Sequence, residues 1–213
     1  MKKTKRKRPL IKLILEDYVG NFEFEDDLHI ISYKNIVEKE LVNKNNYRIR
    51  FDSCTFKKVV FNYNKLDRSE FIDVVFENCD LSNNTFDNSI FIRCEFKECK
   101  LVGSIFSECV LTDVLIEESI LKYAVIEDSK IKSLEVINSS FNEASFYGNE
   151  LKNVSFDSVD FEKAIFYETK LNGVDLSTCK INSIKIDHKS IEGSIISSWQ
   201  AESVCYLLGV KIK

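Results

Sequence analysis

From Phe51 to Ile196 every fifth residue of this chain is Phe, Leu, Ile or Val, and the phase never slips. Thirty consecutive positions obey it, from Phe51, Phe56, Phe61 and Leu66 through to Ile181, Ile186, Ile191 and Ile196. A period of five fits neither a helix at ~3.6 residues per turn nor a plain strand at ~2. A second series stands two residues earlier and holds mostly small side chains, such as Cys54, Ser69, Cys94, Ser119 and Ala124, with Leu134, Ile184 and Lys189 as larger exceptions. Two inward positions separated by one outward position are the alternation of a strand. The other residues of each block are mostly Asp, Glu, Lys, Asn, Ser or Gly, the chemistry of an exposed turn. Gly103, Gly148, Gly173 and Gly193 all fall two residues after a large one, where a corner of positive φ calls for them. The pattern predicts short strands joined by regular corners and wound into a parallel solenoid, each coil pairing with the one below. Both inward series form its core.

Blocks such as Cys94-Glu95-Phe96-Lys97-Glu98 and Ala144-Ser145-Phe146-Tyr147-Gly148 resemble the pentapeptide-repeat family, over about residues 49–198. The resemblance implies an all-β solenoid, a right-handed quadrilateral parallel β-helix with four pentads per coil. Thirty pentads then give between seven and eight coils, a rod ~36 Å long at ~4.8 Å per coil. Residues 1–48 are expected to form a basic tail and an N-terminal cap. Ile31, Ile36 and Leu41 keep the phase there, but the preceding inward slots would hold His29, Lys34 and Lys39. Beyond the repeat, 199–213 is expected to be a C-terminal helix and tail, with Gln200–Leu208 helical and Gly209 as its stop. Its apolar residues fit a lid over the last coil or a dimer contact. The stretch Trp199-Gln200-Ala201…Leu208-Gly209-Val210 also resembles the end of Qnr-type quinolone-resistance members of the family. That likeness implies a homodimer seam, with Trp199, Val204, Leu207, Leu208, Val210 and Ile212 as its candidates.

Composition narrows the setting. No apolar run approaches the ~18 residues of a membrane span, and Leu10–Leu15 carries Lys12 and runs into Glu16, unlike a signal peptide. Six of seven cysteines occupy the small inward slot, where a buried, reduced thiol acts as a compact filler. A cytoplasmic, reducing compartment fits that usage. The opening Lys2-Lys3-Thr4-Lys5-Arg6-Lys7-Arg8 reads as a disordered basic tail, either simply solvated or in contact with nucleic acid or an acidic surface.

Catalytic chemistry is not indicated. The two histidines, His29 and His188, lie far apart, and no phosphate loop, His-Glu-x-x-His or Cys-x-x-Cys occurs. No catalytic residue, metal site or cofactor is expected. Charge says more: residues 51–200 hold 25 Asp plus Glu against 16 Lys plus Arg, a net of −9. Dealt in turn to four faces, the pentads make two acidic stripes. One follows Phe56 and presents Glu77, Glu95, Glu98, Glu117, Glu118, Glu135, Asp157 and Asp175; the opposite one presents Asp87, Glu108, Glu127, Asp128 and Glu168. Such a rod competes for a basic groove that normally holds DNA. By the Qnr resemblance this implies a non-enzymatic DNA mimic that binds a type II topoisomerase, DNA gyrase or topoisomerase IV, and protects it from quinolones. No membrane and no sequence-specific nucleic acid is expected as partner. The alternative is a structural or scaffolding module for a different protein.

Overall fold

The computed structural model describes residues 6–11, 14–20, 22, 29–45 and 48–207. Strands Ile49–Lys57, Glu70–Glu77, Ile90–Lys97, Val110–Glu117 and Lys130–Ile137 stack in parallel. The register advances one coil at a time, with Phe51 on Phe71, Phe71 on Phe91 and Phe91 on Leu111. That step of 20 residues (71 − 51) is four pentads. Each long strand supplies two adjacent faces of the rod. Isolated bridges from Val60 and Asp80 to Asp160 and Lys180 make the third. A ladder of Ile105–Ser107, Val125–Glu127, Ser145–Tyr147, Ile165–Tyr167 and Lys185–Ile186 makes the fourth. The result is a parallel β-solenoid of about eight coils.

At nearly every corner the residue two after the large one has φ near +55°, and most of these are not glycine: Arg68, Asn88, Glu108 and Asp128 stand there as Gly103 and Gly148 do. A left-handed residue with a side chain costs ~1–2 kcal/mol. The corner geometry recovers it by placing each amide on the next coil, as in Arg68 N–H to Asp87 O (2.7 Å) and Asn88 N–H to Ser107 O (2.8 Å). Glycine content therefore understates the number of such corners.

The core follows the sequence pattern closely. Of the thirty large positions all are buried except Leu151, Ile186, Ile191 and Ile196. Phenylalanines stack along the axis, with ring centroids 4.7 Å apart for Phe71–Phe91 and 4.5 Å for Phe146–Phe166. Between Phe106 and Phe141 every large slot holds Leu, Ile or Val, and the smaller side chains leave a cavity of about 30 Å³. Leu134, the oversized member of the small series, lines that cavity and makes up part of the missing volume.

The small slots do more than admit the backbone. Ser89 Oγ accepts the Ser69 amide (3.0 Å) and donates to Leu66 O (2.9 Å); Asn84 Oδ1 accepts the Asn64 amide (2.8 Å). They satisfy buried backbone groups that the corners take out of the ladder. Cysteines there donate to carbonyls of the adjacent coil, as Cys94 Sγ does to Phe71 O (3.1 Å). Burial pushes the Cys94 and Cys109 thiols up to about 12. Of the seven free cysteines only Cys205 is part-exposed. With a thiol reagent at neutral pH, about one thiol should react within minutes and all seven only in denaturant. Fast reaction of three or more in the native protein would contradict this core.

The ends depart from expectation. Strands His29–Ser32 and Lys34–Val37 already pair with the coil at 49–57, and Ile31, Ile36 and Leu41 are buried, so the rod begins one coil before residue 49. The inward polar residues are tolerated because at the end of the rod they are only half-buried; Lys34 reaches out to Glu16. Glu16–Asp17 adds a further parallel edge on Lys34–Asn35, and Phe22 packs edge-on to Phe61 (5.9 Å) to close the core. No hairpin or helix forms among the described residues before 48. Near the other end helix α1 (His188–Ile191) starts at Asp187, whose carboxylate accepts the Lys189 and Ser190 amides. It turns Lys189 outward and puts buried Ser190 in the small slot instead. A 3-10 turn at Ser198–Gln200, where helix was expected from Gln200, then leads into helix α2 (Ala201–Leu207); the expected end at Leu208 and stop at Gly209 lie outside the described residues.

Candidate functional site

The two acidic stripes come out physically different. On the Phe56 side the outward residues stack in two rows, Thr55, Val75, Glu95, Leu115, Glu135 and Lys57, Glu77, Lys97, Glu117, Ile137. Cations are interleaved with the acids there. Lys57 Nζ lies 3.2 Å from Glu77, and Lys97 Nζ lies 2.7 Å from Glu95. Glu98 and Glu118 are exposed at corners, whereas half-buried Asp157 and Asp175 accept local bonds from Ser158 (3.2 Å) and Ser177 (2.9 Å).

The N-terminal arm crosses this same side, so Arg6, Lys7 and Arg8 do not belong to a disordered tail; residues 1–5 lie outside the described residues. Arg6 sends its guanidinium between Glu95 (2.8 Å) and Glu135 (3.6 Å), with only 7% of its side chain exposed. Leu115 and Glu95, in outward slots, are buried as a result. Burial pushes Glu95 up, but hydrogen bonds from Lys97 and Arg6 outweigh it and hold the carboxyl below its usual range. The arm backbone is held too: the Lys7 amide donates to Asp113 (3.1 Å) and the Leu10 amide to Asp73 (2.7 Å). Asp73 also takes two bonds of 2.6 Å from Arg93; burial works upward on it, but these bonds keep it low. Formal counting saw a stripe of −5 here. The chain itself covers and offsets its middle.

The opposite side keeps its charge. Asp87 and Glu127 lie on one outward row with Asp67, and Glu108, Asp128 and Glu168 occupy the adjoining corners. Among the described residues none of these six makes an ion pair. One Asp87 carboxylate oxygen is buried without a partner. Its carboxyl is pushed up, first by burial and then by the charges of Asp67, Glu127 and Glu108. An acid that its neighbours hold in the protonated direction is poised to gain from an incoming cation.

At the C-terminal end Gln200 is fully buried under the last coil, while Trp199 is 60% exposed. Val204 packs against the core, which makes it part of a lid rather than of a free face. The Leu207 side chain and Leu208, Val210 and Ile212 lie outside the described residues. No helix among the described residues is long and apolar enough to cross a membrane.

Profiles of known families match the repeat directly: a pentapeptide repeat region over residues 69–146, and pentapeptide repeats in eight copies over 138–178. No match was found among curated proteins. Solved structures with a related trace include HetL, a pentapeptide repeat protein involved in heterocyst differentiation regulation in the cyanobacterium Nostoc. It is 12% identical with a TM-score of 0.42, over 80% of this chain and 90% of HetL. QnrB1, a plasmid-mediated fluoroquinolone resistance protein, is 14% identical with a TM-score of 0.39, over 83% of this chain and 100% of its own. A pentapeptide repeat protein of the Arabidopsis thaliana thylakoid lumen is 20% identical with a TM-score of 0.31, over 48% and 61%. Likenesses of this size carry no argument about what the present chain binds.

Proposed function

The chain belongs to the pentapeptide-repeat family, and from that premise we propose that it is a non-catalytic binding protein that presents an acidic face to a basic groove on a protein partner. The observation that carries this reading is the row Asp67, Asp87 and Glu127, flanked by Glu108, Asp128 and Glu168, none of which makes an ion pair among the described residues, although Lys65 lies near enough to Asp87 to offset part of its charge. Acids placed at multiples of the ~4.8 Å coil step, one coil apart for Asp67 and Asp87 and two for Asp87 and Glu127, imitate a phosphate backbone in sign and direction, though at lower charge density than DNA's one charge per ~1.7 Å. Grooves built for duplex DNA are the natural fit, and a type II topoisomerase is the candidate, supported by the C-terminal residues from Trp199 to Val210. Binding there displaces DNA and, with it, the quinolone target. The homodimer seam belongs to the same proposal, with exposed Trp199 its described anchor; a head-to-head pair extends the rod to roughly 70–75 Å at ~4.8 Å per coil.

The test is gyrase supercoiling with purified full-length protein, with and without ciprofloxacin. Micromolar protein should inhibit supercoiling and reduce drug-induced cleavage, and Glu127→Lys with Asp128→Lys should abolish both effects. No effect of the wild-type chain on either sinks the topoisomerase reading and leaves a docking module for a different protein. Asp87→Asn adds a signature. The folded-state pKa of Asp87 is raised, so its ionised form weighs against folding at neutral pH, and that cost fades as pH falls through the folded value. Its amide variant should weaken partner binding yet raise the melting temperature by about 1–2 °C, as befits a surface-charge effect of under ~1 kcal/mol.

A further inference from the structure

The arm on the Phe56 side is a bound peptide in all but its covalent connection. Its geometry reads as a recognition pattern. Asp113 and Asp73 stand two coils apart on one corner, ~9.6 Å at ~4.8 Å per coil. Three residues of extended chain, from Lys7 to Leu10, span ~10 Å. The two amides thus meet the two carboxylates without strain, and Pro9 between them has no amide to leave unpaired. Arg6 and Arg8, two apart in an extended segment, both turn to the same cavity of about 410 Å³, where Glu95, Glu117 and Glu135 wait. Buried Leu115 forms its floor, stacked between Glu95 and Glu135.

We propose that this face is a docking groove for an extended Arg-x-Arg-Pro segment of a partner protein, and that residues 6–10 are its tethered occupant. The fit is by charge and period: a guanidinium bracketed by two glutamates, and two amides matched to the coil repeat. Little else holds the arm. Leu10 is 70% exposed, and Lys7 and Arg8 are exposed as well. A short tether supplies an effective concentration on the order of 1 mM. If the free segment binds at roughly 0.1 mM, its own arm weakens any competitor about tenfold (1 + 1/0.1 ≈ 11). A basic partner therefore reaches the groove by displacing the arm. This surface is opposite to the row of Asp87 and Glu127, so its success or failure is independent of the topoisomerase reading.

The experiment uses the full chain and a fluorescent peptide of the sequence Met1 to Ile11, read by anisotropy at low salt. The R6Q/R8Q chain, whose arm no longer competes and whose core is untouched, should bind the peptide at least tenfold more tightly than wild type. On that variant, a peptide with Arg6→Ala, or a scrambled peptide of the same composition, should bind at least tenfold more weakly than the native one. Equal binding by wild type and variant would overturn the proposal, because the arm would not be occupying the groove. Equal binding of native and scrambled peptides would overturn it too, since only bulk charge would be at work. A wild-type dimer that R6Q/R8Q dissociates in sedimentation would also overturn it, placing the arm on a neighbouring copy.

Discussion

Replacing Phe71 by Ala is expected to remove about 3–5 kcal/mol of stability, most or all of what a domain of this size holds in reserve. Phe71 is fully buried and lies in the middle of an axial stack, 5.6 Å from Phe51 and 4.7 Å from Phe91. It also meets Phe86 edge-on at 6.0 Å and Phe76 at 6.0 Å. The truncation leaves a ring-sized void that cannot collapse, because the parallel ladder fixes the spacing of the coils above and below. Each coil touches only its neighbours, so the damage also weakens coupling between residues 29–57 and the rest. Urea unfolding followed by far-UV circular dichroism should show the midpoint falling sharply, with the first coils losing amide protection before the others. Leu151→Ala is the internal comparison: Leu151 is only half-buried and should cost about 1 kcal/mol or less. A Phe71→Ala loss below about 1.5 kcal/mol would mean that the stack is not the main support of the rod.

The period predicted this stack because a large apolar side chain repeated every five residues has no other way to be buried. Its four failures are equally physical. Leu151 sits where the ladder splits into Glu150–Lys152 and Ser155–Asp157; Ile186 precedes α1 and Ile191 ends it; Ile196 is at the last coil. The missed first coil has a different cause. His29, Lys34 and Lys39 look impossible in an inward slot only if that slot is sealed, and at the end of the rod all three are merely half-buried, with Lys34 reaching out to Glu16. Small slots were legible as small but not as hydrogen-bonding: Ser69, Ser89 and Asn84 read like Ala124 until the corner amides are placed above them. The arm was the least legible. Arg6 meets Glu95 across 89 positions of sequence, and a local period is silent about such distances. Leu115, apolar between Glu95 and Glu135, gave no separate signal, since Val75 stands in the same row.

Formal charge gave the two acidic stripes nearly equal weight, and geometry separates them. On one side Lys57, Lys97 and Arg6 lie within 3.6 Å of the acids, so a partner must first displace or ignore a cation. On the other the acids repel one another and Asp87 keeps an unpartnered oxygen. A face already neutralised gains little from a new cation, whereas a face under its own repulsion gains the relief as well as the attraction. Charge reversal on the Asp87 side should therefore have the larger effect on a basic partner, although the other stripe presents more acids in the sequence.

Gln200→Leu is expected to cost about 3 kcal/mol although it removes almost no volume. Gln200 is fully buried; its Nε2 donates to Leu176 O (2.8 Å) and Cys179 O (2.7 Å), and its Oε1 accepts the Ser197 amide (2.8 Å) and hydroxyl (3.0 Å). Inside the rod such carbonyls meet the amides of the next coil. Here the next coil breaks off after Ile196, just before those partners would arrive, and this one amide side chain takes their place. Leucine would fill the same space and strand the partners, each at ~1–3 kcal/mol before relaxation. The bare edge would also invite pairing with another chain, so the loss should appear with concentration-dependent association in sedimentation. Trp199, the single tryptophan, adjoins the plug and reports on it directly. Acrylamide quenching of Trp199 should rise in the variant at temperatures where the β-sheet signal is still intact. If Gln200→Leu melts with the wild type, the carbonyls of Leu176 and Cys179 find other donors, and the end of the rod is sealed by α2 and Val204 instead.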